Sequence, residues 1–340
     1  MGKTKIEWVK LDDAQGMTWN PTRGCCHASP GCANCYAEQI SARFSGEGQP
    51  FHLFAERDPR PHFTGKVELI ESMLDVPLRR KKPTMWFVNS MSDLFHESLP
   101  DEAIDRVFAV MALCPQHVFQ VLTKRAERMR DCAIRIGRSI TFLEKPARGT
   151  GYSLQFVGMD GKSYGLTPWP LPNCWLGVSV ENQEYADERI PLLLQTPAAV
   201  RFISAEPLLG SVDLTCIREQ IAAHSFRTFS ALEGVDSLNK GTSRNRLDWV
   251  IVGGESGSNA RPFDLAWARS IIAQCRAAGV RVFMKQVGSF ACEQHESGTA
   301  KGGCHRPLTL RDLKGGDPAE WPEDVRVRQM PEHGAKRGAI

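Results

Sequence analysis

The chain has 340 residues, 42% hydrophobic and 24% charged, a balance that excludes disordered, collagen-like and coiled-coil classes. No run approaches the roughly 18 apolar residues of a membrane span, and the opening Met1-Gly2-Lys3-Thr4-Lys5-Ile6-Glu7-Trp8 lacks the apolar core of a secretion signal, so a cytoplasmic setting with no membrane partner is expected. A balance of 42 Lys and Arg against 39 Asp and Glu leaves +3, which excludes a strongly basic nucleic-acid coat and leaves room for a local basic patch.

In chain order, residues 17–20 form a weak first strand candidate, and a cysteine-rich loop follows. Further strands are predicted at 84–89, 118–122, 174–179, 200–204, 249–252 and 280–284. Most are continuous apolar runs, as strands buried on both faces require. Helical patterns lie between them, clearest at 101–113, 182–195 and 265–278, with Gly279 stopping the last. Alternating strand and helix predicts an α/β fold with a parallel sheet. Nearly every strand delivers polar groups at its carboxyl end, which favours a partial (β/α) TIM-like barrel with its site on one rim over an open sheet with a single switch point. Two insertions interrupt the rhythm. Residues 138–173 carry Asp160-Gly161 between short β-type runs and predict a hairpin. Residues 217–247 are polar and predict a surface excursion, and about 301–340 are expected to wrap the outside. The whole chain, 1–340, is expected to be one domain.

The unusual count is 11 Cys. Without an export signal these are expected as reduced thiols or metal ligands. Seven are scattered singly (Cys114, Cys132, Cys174, Cys216, Cys275, Cys292 and Cys304) and most are expected to pack as small hydrophobes. Four crowd into Gly24-Cys25-Cys26-His27-Ala28-Ser29-Pro30-Gly31-Cys32-Ala33-Asn34-Cys35. Cys25, Cys32 and Cys35 form C-x6-C-x2-C in a Gly- and Pro-bearing loop that leaves backbone N–H groups free to face sulfur. Three thiolates suit an iron–sulfur cluster with one iron left open. A closed zinc site needs a fourth ligand, which Cys26 or His27 would supply. From Lys124 to Arg148, and at Arg79-Arg80-Lys81-Lys82, basic residues gather into a candidate phosphate-binding face, with a solvated charged surface as the plain alternative.

The motifs together carry a resemblance. Thr18-Trp19-Asn20-Pro21, Gly24-Cys25 and Ser29-Pro30-Gly31-Cys32-Ala33-Asn34-Cys35-Tyr36-Ala37-Glu38 are followed by Asn89-Ser90-Met91-Ser92-Asp93-Leu94-Phe95-His96 and Leu122-Thr123-Lys124-Arg125. Then come Leu176-Gly177-Val178-Ser179-Val180-Glu181-Asn182, Ser204-Ala205-Glu206-Pro207-Leu208, Trp249-Val250-Ile251-Val252-Gly253-Gly254-Glu255-Ser256-Gly257 and Lys285-Gln286. This order resembles the phage Gp37/Gp68 family of three-cysteine-motif proteins, the DUF5131 type, over nearly the whole chain apart from the two insertions. That family is in turn similar to radical SAM enzymes. The usual loop there is C-x3-C-x2-C with an aromatic inside the last pair; here the first gap is six and Tyr36 follows the last Cys.

The resemblance implies a radical-SAM-type partial barrel, a [4Fe–4S] cluster on Cys25, Cys32 and Cys35, and S-adenosylmethionine on the fourth iron. It implies reductive cleavage to a 5′-deoxyadenosyl radical that takes hydrogen from a substrate, and a reductant such as flavodoxin or ferredoxin. The phage-type resemblance points to a nucleic acid or nucleotide as that substrate. It places Asn89, Ser90, Ser92 and Asp93 at the methionine end, with Asp93 or Ser92 accepting from the ammonium; Asp93 as a turn cap stays open. Lys124 is a candidate for carboxylate or phosphate, and Ser179, Glu181 and Asn182 for ribose, with Asn182 as a helix N-cap equally open. Glu206, Gly253, Gly254, Glu255 and Lys285 complete the cofactor-binding candidates; Lys285 is expected to pair with Glu206 or Glu255. The competing expectation is a non-catalytic, zinc- or cluster-stabilised protein that binds nucleic acid or a partner.

Overall fold

The computed structural model describes residues 4, 6–10, 16–139, 153–157, 163–236, 245–293 and 306–332. Seven strands form one sheet: β1 (Gly16–Trp19), β2 (Met85–Val88), β3 (Val118–Thr123), β4 (Cys174–Ser179), β5 (Val200–Ala205), β6 (Trp249–Gly253) and β7 (Arg281–Gln286). They pair in chain order, and every pairing is parallel. Parallel neighbours need crossovers. Among the described residues the longer helices are α1 (Tyr36–Arg43), α2 (Asp101–Ala112), α3 (Ala126–Ser139), α4 (Gln183–Gln195) and α5 (Leu265–Ala277), with two one-turn helices at Glu71–Leu74 and Val76–Arg79. The sheet curls into a half-barrel with β1 and β7 at its two ends.

Period-2 alternation splits the strand residues between two cores. Trp86, Val88, Val121, Val178, Ile203, Val250 and Met284 join the helix residues Ile104, Phe108, Ile190 and Ile271 on the outside. Met85, Phe87, Trp175, Phe202, Trp249, Ile251 and Phe283 form a second cluster without helix residues, which is the concave interior. Trp8 seals its lower end, with its ring centroid 4.8 Å from Phe87 and 6.0 Å from Trp249. Both faces of the sheet are therefore apolar, which is why the strands read as unbroken hydrophobic runs. The same parity turns Ser179, Ser204, Gly253 and Lys285 inward at the carboxyl ends, so the concave face is greasy below and polar at its mouth.

The expected hairpin is present as antiparallel strands Ser153–Val157 and Ser163–Pro168; Asp160-Gly161 lies outside the described residues. The excursion at 217–247 is instead a small antiparallel sheet of Ile217–Ala222, Ser225–Ser230 and Val235–Asp236. Its alternation is masked in the sequence because the inward Glu219 is a charged residue, bonded to Arg227 at 2.6 Å and Gln195 at 3.2 Å. The C-terminal stretch does more than wrap. Val327 and Gln329 bond to the backbone of Met284 and Val282, covering the open edge of β7.

Cys114, Cys132, Cys174 and Cys275 are free and buried, as packing residues should be, while Cys216 is exposed. Cys292 departs from the reduced-thiol expectation, being disulfide-bonded; Cys304 lies outside the described residues. No helix among the described residues is long and apolar enough to cross a membrane.

Candidate metal centre

After β1 the chain makes the two-residue strand Thr22–Arg23, which pairs with Glu68–Leu69. Gly24 follows at φ +84°, and a Cβ there would lie 1.8 Å from the Lys66 carbonyl oxygen, so only glycine fits this entry to the loop. A 3-10 turn at Pro30–Cys32 then presents Cys32, and Cys35 stands at the N-cap of α1. The Ala28 N–H faces the Cys32 sulfur at 3.5 Å, a backbone donor aimed at a thiolate position. Burial raises the Cys25 thiol well above its ordinary range; Asp93 and Cys35 push the same way, while Arg125 opposes them. Burial also raises Cys35, with Cys32 adding to it. Without a cation Cys25 and Cys35 are held as neutral thiols, and metal binding must release their protons.

The three sulfurs do not crowd round one point. Among the described residues the group whose ligand atoms all lie within 4.8 Å of one another is Cys26, His96 and Glu97. Tetrahedral zinc, with bonds of about 2.3 Å to sulfur, holds its thiolates closer than that. Both suggested fourth zinc ligands face elsewhere. The Cys26 sulfur is 3.0 Å from His96 Nε2 and 3.0 Å from Arg125 Nη2, and His27 Nε2 is 3.0 Å from Glu38.

Two buried carboxylates brace the loop. Glu181 accepts from Ser29 Oγ at 2.7 Å and Arg189 Nη1 at 3.0 Å, and pairs with Lys124. Burial pushes its carboxyl upward, but Lys124 and Arg189 outweigh this and hold it below the usual carboxylate range. Gly31 lies directly on it, since a Cβ there would stand 2.4 Å from Glu181 Oε1. Glu255 accepts from Asn34 Nδ2 at 3.0 Å and from Arg261 Nη2 at 2.7 Å, while Arg261 Nη1 reaches the Pro30 carbonyl at 2.8 Å. Its carboxyl is also held low: burial raises it, but the bonds from Arg261 and Asn34 win.

The end of β2 forms a third wall. Asn89 adopts φ +57°, a left-handed conformation that asparagine tolerates. Its Nδ2 donates to Thr22 Oγ1 at 2.7 Å, and its buried Oδ1 has no hydrogen-bond partner among the described residues. Ser92 Oγ lies 2.9 Å from the same Thr22 hydroxyl, and Ser90 Oγ donates to Asn20 Oδ1 at 3.2 Å. Tyr36 donates to the Ser90 carbonyl at 2.5 Å, tying α1 to this wall. Asp93 caps a turn through Phe95 N–H at 2.9 Å, accepts from Thr123 Oγ1 at 2.7 Å and Lys124 N–H at 3.2 Å, and pairs with Arg125 at 3.1 Å. Both of its oxygens are occupied by the protein.

On the far side Lys285 pairs with Glu206, the first of the two partners expected for it. Gly253 leaves space beside them, since a Cβ there would be 3.3 Å from Glu206 Cγ. Gly254 serves packing, because a Cβ would meet the Val287 carbonyl oxygen at 2.4 Å. Asn182 is the N-cap of α4, accepting from Tyr185 N–H at 3.1 Å. The Ser179 carbonyl accepts from Arg189 at 2.9 Å. Thus Glu181, Glu255 and Asp93 meet the cysteine loop, Lys124 joins it through Glu181, and Glu206, Lys285 and Gly253 form a separate polar group.

The basic tract read from the sequence is largely self-neutralised. Arg125, Arg128, Arg130 and Arg135 pair with Asp93 and Glu97, Asp101, Asp131, and Asp105, and Arg79 pairs with Asp75. Residues 140–148 lie outside the described region. Sequence reasoning missed Ser29, Asn34, Arg189 and Arg261 as loop braces and the Cys26–His96–Glu97 group. Arg189 and Arg261 carry no local signal, because their partners are remote in sequence or set by loop shape.

The fold and this site define a parallel half-barrel protein with a braced three-cysteine loop over its carboxyl mouth. The family model described as "Protein of unknown function (DUF5131)" matches residues 3–315, and the chain belongs to that family. No curated protein and no solved structure matches the chain.

Proposed function

We propose that the protein is a cytoplasmic radical SAM enzyme of the phage Gp37/Gp68 type, with a [4Fe–4S] cluster on Cys25, Cys32 and Cys35 and S-adenosylmethionine as cofactor. The carrying observation is that one partly buried loop at the carboxyl mouth of a parallel half-barrel gathers the three thiols, with Cys35 close enough to act electrostatically on Cys25 and to be acted on by Cys32. A four-iron cluster spreads its thiolates over separate irons and leaves one iron open when only three are supplied. The donor set fits: three thiols, a backbone N–H aimed at the middle one, and carboxylates that accept from the loop side chains Ser29 and Asn34 rather than filling the ligand sphere. The engagement of Cys26 and His27 with other partners weighs against the closed zinc site.

When bound, the cluster and S-adenosylmethionine supply a 5′-deoxyadenosyl radical on reduction by a flavodoxin- or ferredoxin-like donor. The chain's own residues place and shield that chemistry. Glu181 and Glu255 fix the loop. The inward Ser179, Ser204, Glu206 and Lys285 offer polar contacts to a cofactor at the mouth, where Lys285 and Glu206 remain partly exposed. The aromatic interior closed by Trp8 excludes water from below.

Anaerobic purification tests the reading. The expected product is brown, carries about four irons and four sulfides per chain, bleaches with dithionite, and loses its colour in Cys32→Ala. Release of 5′-deoxyadenosine should follow reduction in the presence of S-adenosylmethionine. A colourless protein holding one zinc overturns the proposal.

A further inference from the structure

The outer wall of the cysteine loop carries a cleft of about 820 Å³, bounded by Asn34, Cys35 and one side of α1, by Arg57, Arg60 and Pro61, and by Ser258 and Asn259. That is the size of a site for a small molecule or a nucleotide. Three arginines line it: Arg43, Arg57 and Arg60. The lining holds a single carboxylate, Glu38, which is already bonded to His27 and to the Phe63 N–H. Arg57 caps the end of α1, donating to the Ala42 carbonyl at 2.8 Å and to the Arg43 carbonyl. The guanidinium groups of Arg43 and Arg60 have no carboxylate partner among the described residues, and both residues are exposed. This contrasts with the paired arginines of α3 and with Arg79.

We infer that this cleft binds the phosphate groups of a nucleotide or a single nucleic-acid strand through Arg43 and Arg60. Guanidinium forks match phosphate oxygens in paired hydrogen bonds. The lining has no aromatic side chain, so it offers no stacking platform and holds the backbone rather than reading bases. It also lacks the aromatic and aliphatic anchors that a protein partner would need. Cys35 forms part of its wall, so one end of the cleft reaches the cysteine loop, while Arg43 lies at the opposite end of α1. The inference rests on the functional reading above in one respect only, that this ligand is the substrate.

Fluorescence anisotropy on the full chain, as isolated and without reductant, tests it. The probe is a labelled single-stranded oligonucleotide of about ten nucleotides, as oligo-dT and as oligo-dA, titrated at several salt concentrations. Both should bind alike, and Arg43→Gln with Arg60→Gln should weaken binding at least about tenfold and flatten the log–log salt slope by about 1.4, or 0.7 per lost phosphate contact. Lys81→Gln with Lys82→Gln removes equal charge from the sequence tract outside the cleft and should leave both readings unchanged. Competition by a nucleoside triphosphate at the concentration that binds the protein assigns the site to nucleotides; competition only by unlabelled strand assigns it to nucleic acid. The proposal is overturned if neither ligand binds, if the arginine pair changes nothing, or if the lysine pair costs as much. Iron content and 5′-deoxyadenosine release are measured separately, so failure here and failure of the radical chemistry are distinct results.

Discussion

The Gly31 contact gives the sharpest test of how the loop is held. Alanine at this position is allowed by the backbone, since Gly31 is not among the positive-φ glycines. Only volume opposes it. The new methyl carbon would stand 2.4 Å from Glu181 Oε1 and 2.6 Å from its Cγ. Ordinary contact requires about 1 Å more. Glu181 is fully buried and held by Ser29, Lys124 and Arg189, so it cannot retreat. The loop must move instead, and Cys32 is the next residue. Overpacking of this kind costs about 1–3 kcal/mol, and loss of the Ser29–Glu181 bond adds a cost of similar size. Gly31→Ala should therefore lower the urea midpoint and reduce iron and sulfide per chain while far-ultraviolet dichroism is retained. Adding Glu181→Asp withdraws the carboxylate by one methylene and should recover part of both losses, giving a double-mutant coupling of about 1 kcal/mol. Wild-type iron content and midpoint in Gly31→Ala, or strict additivity in the double variant, would refute the brace.

Three further outcomes follow from the packing and charges. Asp93→Asn breaks a buried pair and should cost about 3 kcal/mol in a denaturation curve, near the low end for such pairs because Glu97 still holds Arg125; S-adenosylmethionine affinity by equilibrium dialysis should not change, and its loss would return Asp93 to the cofactor. Trp8→Ala should cost about 3–5 kcal/mol, since the ring is 2% exposed and seals the barrel floor; a change within error in the melt would show that the N-terminal segment is only laid on the surface. Burial pushes Cys114 and Cys275 up to about 11 and about 12 from 9.0. Below 9.0 both folded and unfolded chains hold these protons; above it the unfolded chain releases them first, so stability falls by up to about 1.4 kcal/mol per pH unit per thiol until the folded values are reached. Denaturation between about pH 8 and pH 11 should show the fall, shallower in Cys275→Ala; an unchanged slope sinks the argument.

The strands were legible because burial on both faces makes them continuous apolar runs, and the polar residue after each run marked the mouth. Cys25, Cys32 and Cys35 were legible because their spacing is local. What escaped reading was pairing across the chain. Glu255 reaches Asn34, and Glu181 reaches Ser29, over sequence separations of 221 and 152 residues. Asn182 presented both a cap and a ligand chemistry, and its side chain is spent on the cap. Asp93 likewise looked like a free acceptor at a strand end, but its two oxygens knit the ends of β2 and β3 together.

Charge shows the same limit with a functional consequence. A basic run in sequence says nothing about its effective field until its partners are known. On α3, Arg128, Arg130 and Arg135 face acidic residues of α2 or their own helix, so much of the density that drew attention is cancelled locally. Arg43 and Arg60 sit 17 positions apart in unremarkable stretches, yet the hairpin of Ala55–Glu56 with His62–Phe63 folds back on α1 and brings them to one cleft. Glu38 makes that fold-back, because its carboxylate accepts the Phe63 N–H at 2.9 Å, and in doing so it is removed as a partner for the arginines. One carboxylate thus docks the hairpin on α1, and Arg43 and Arg60 are left without a carboxylate partner among the described residues of the cleft.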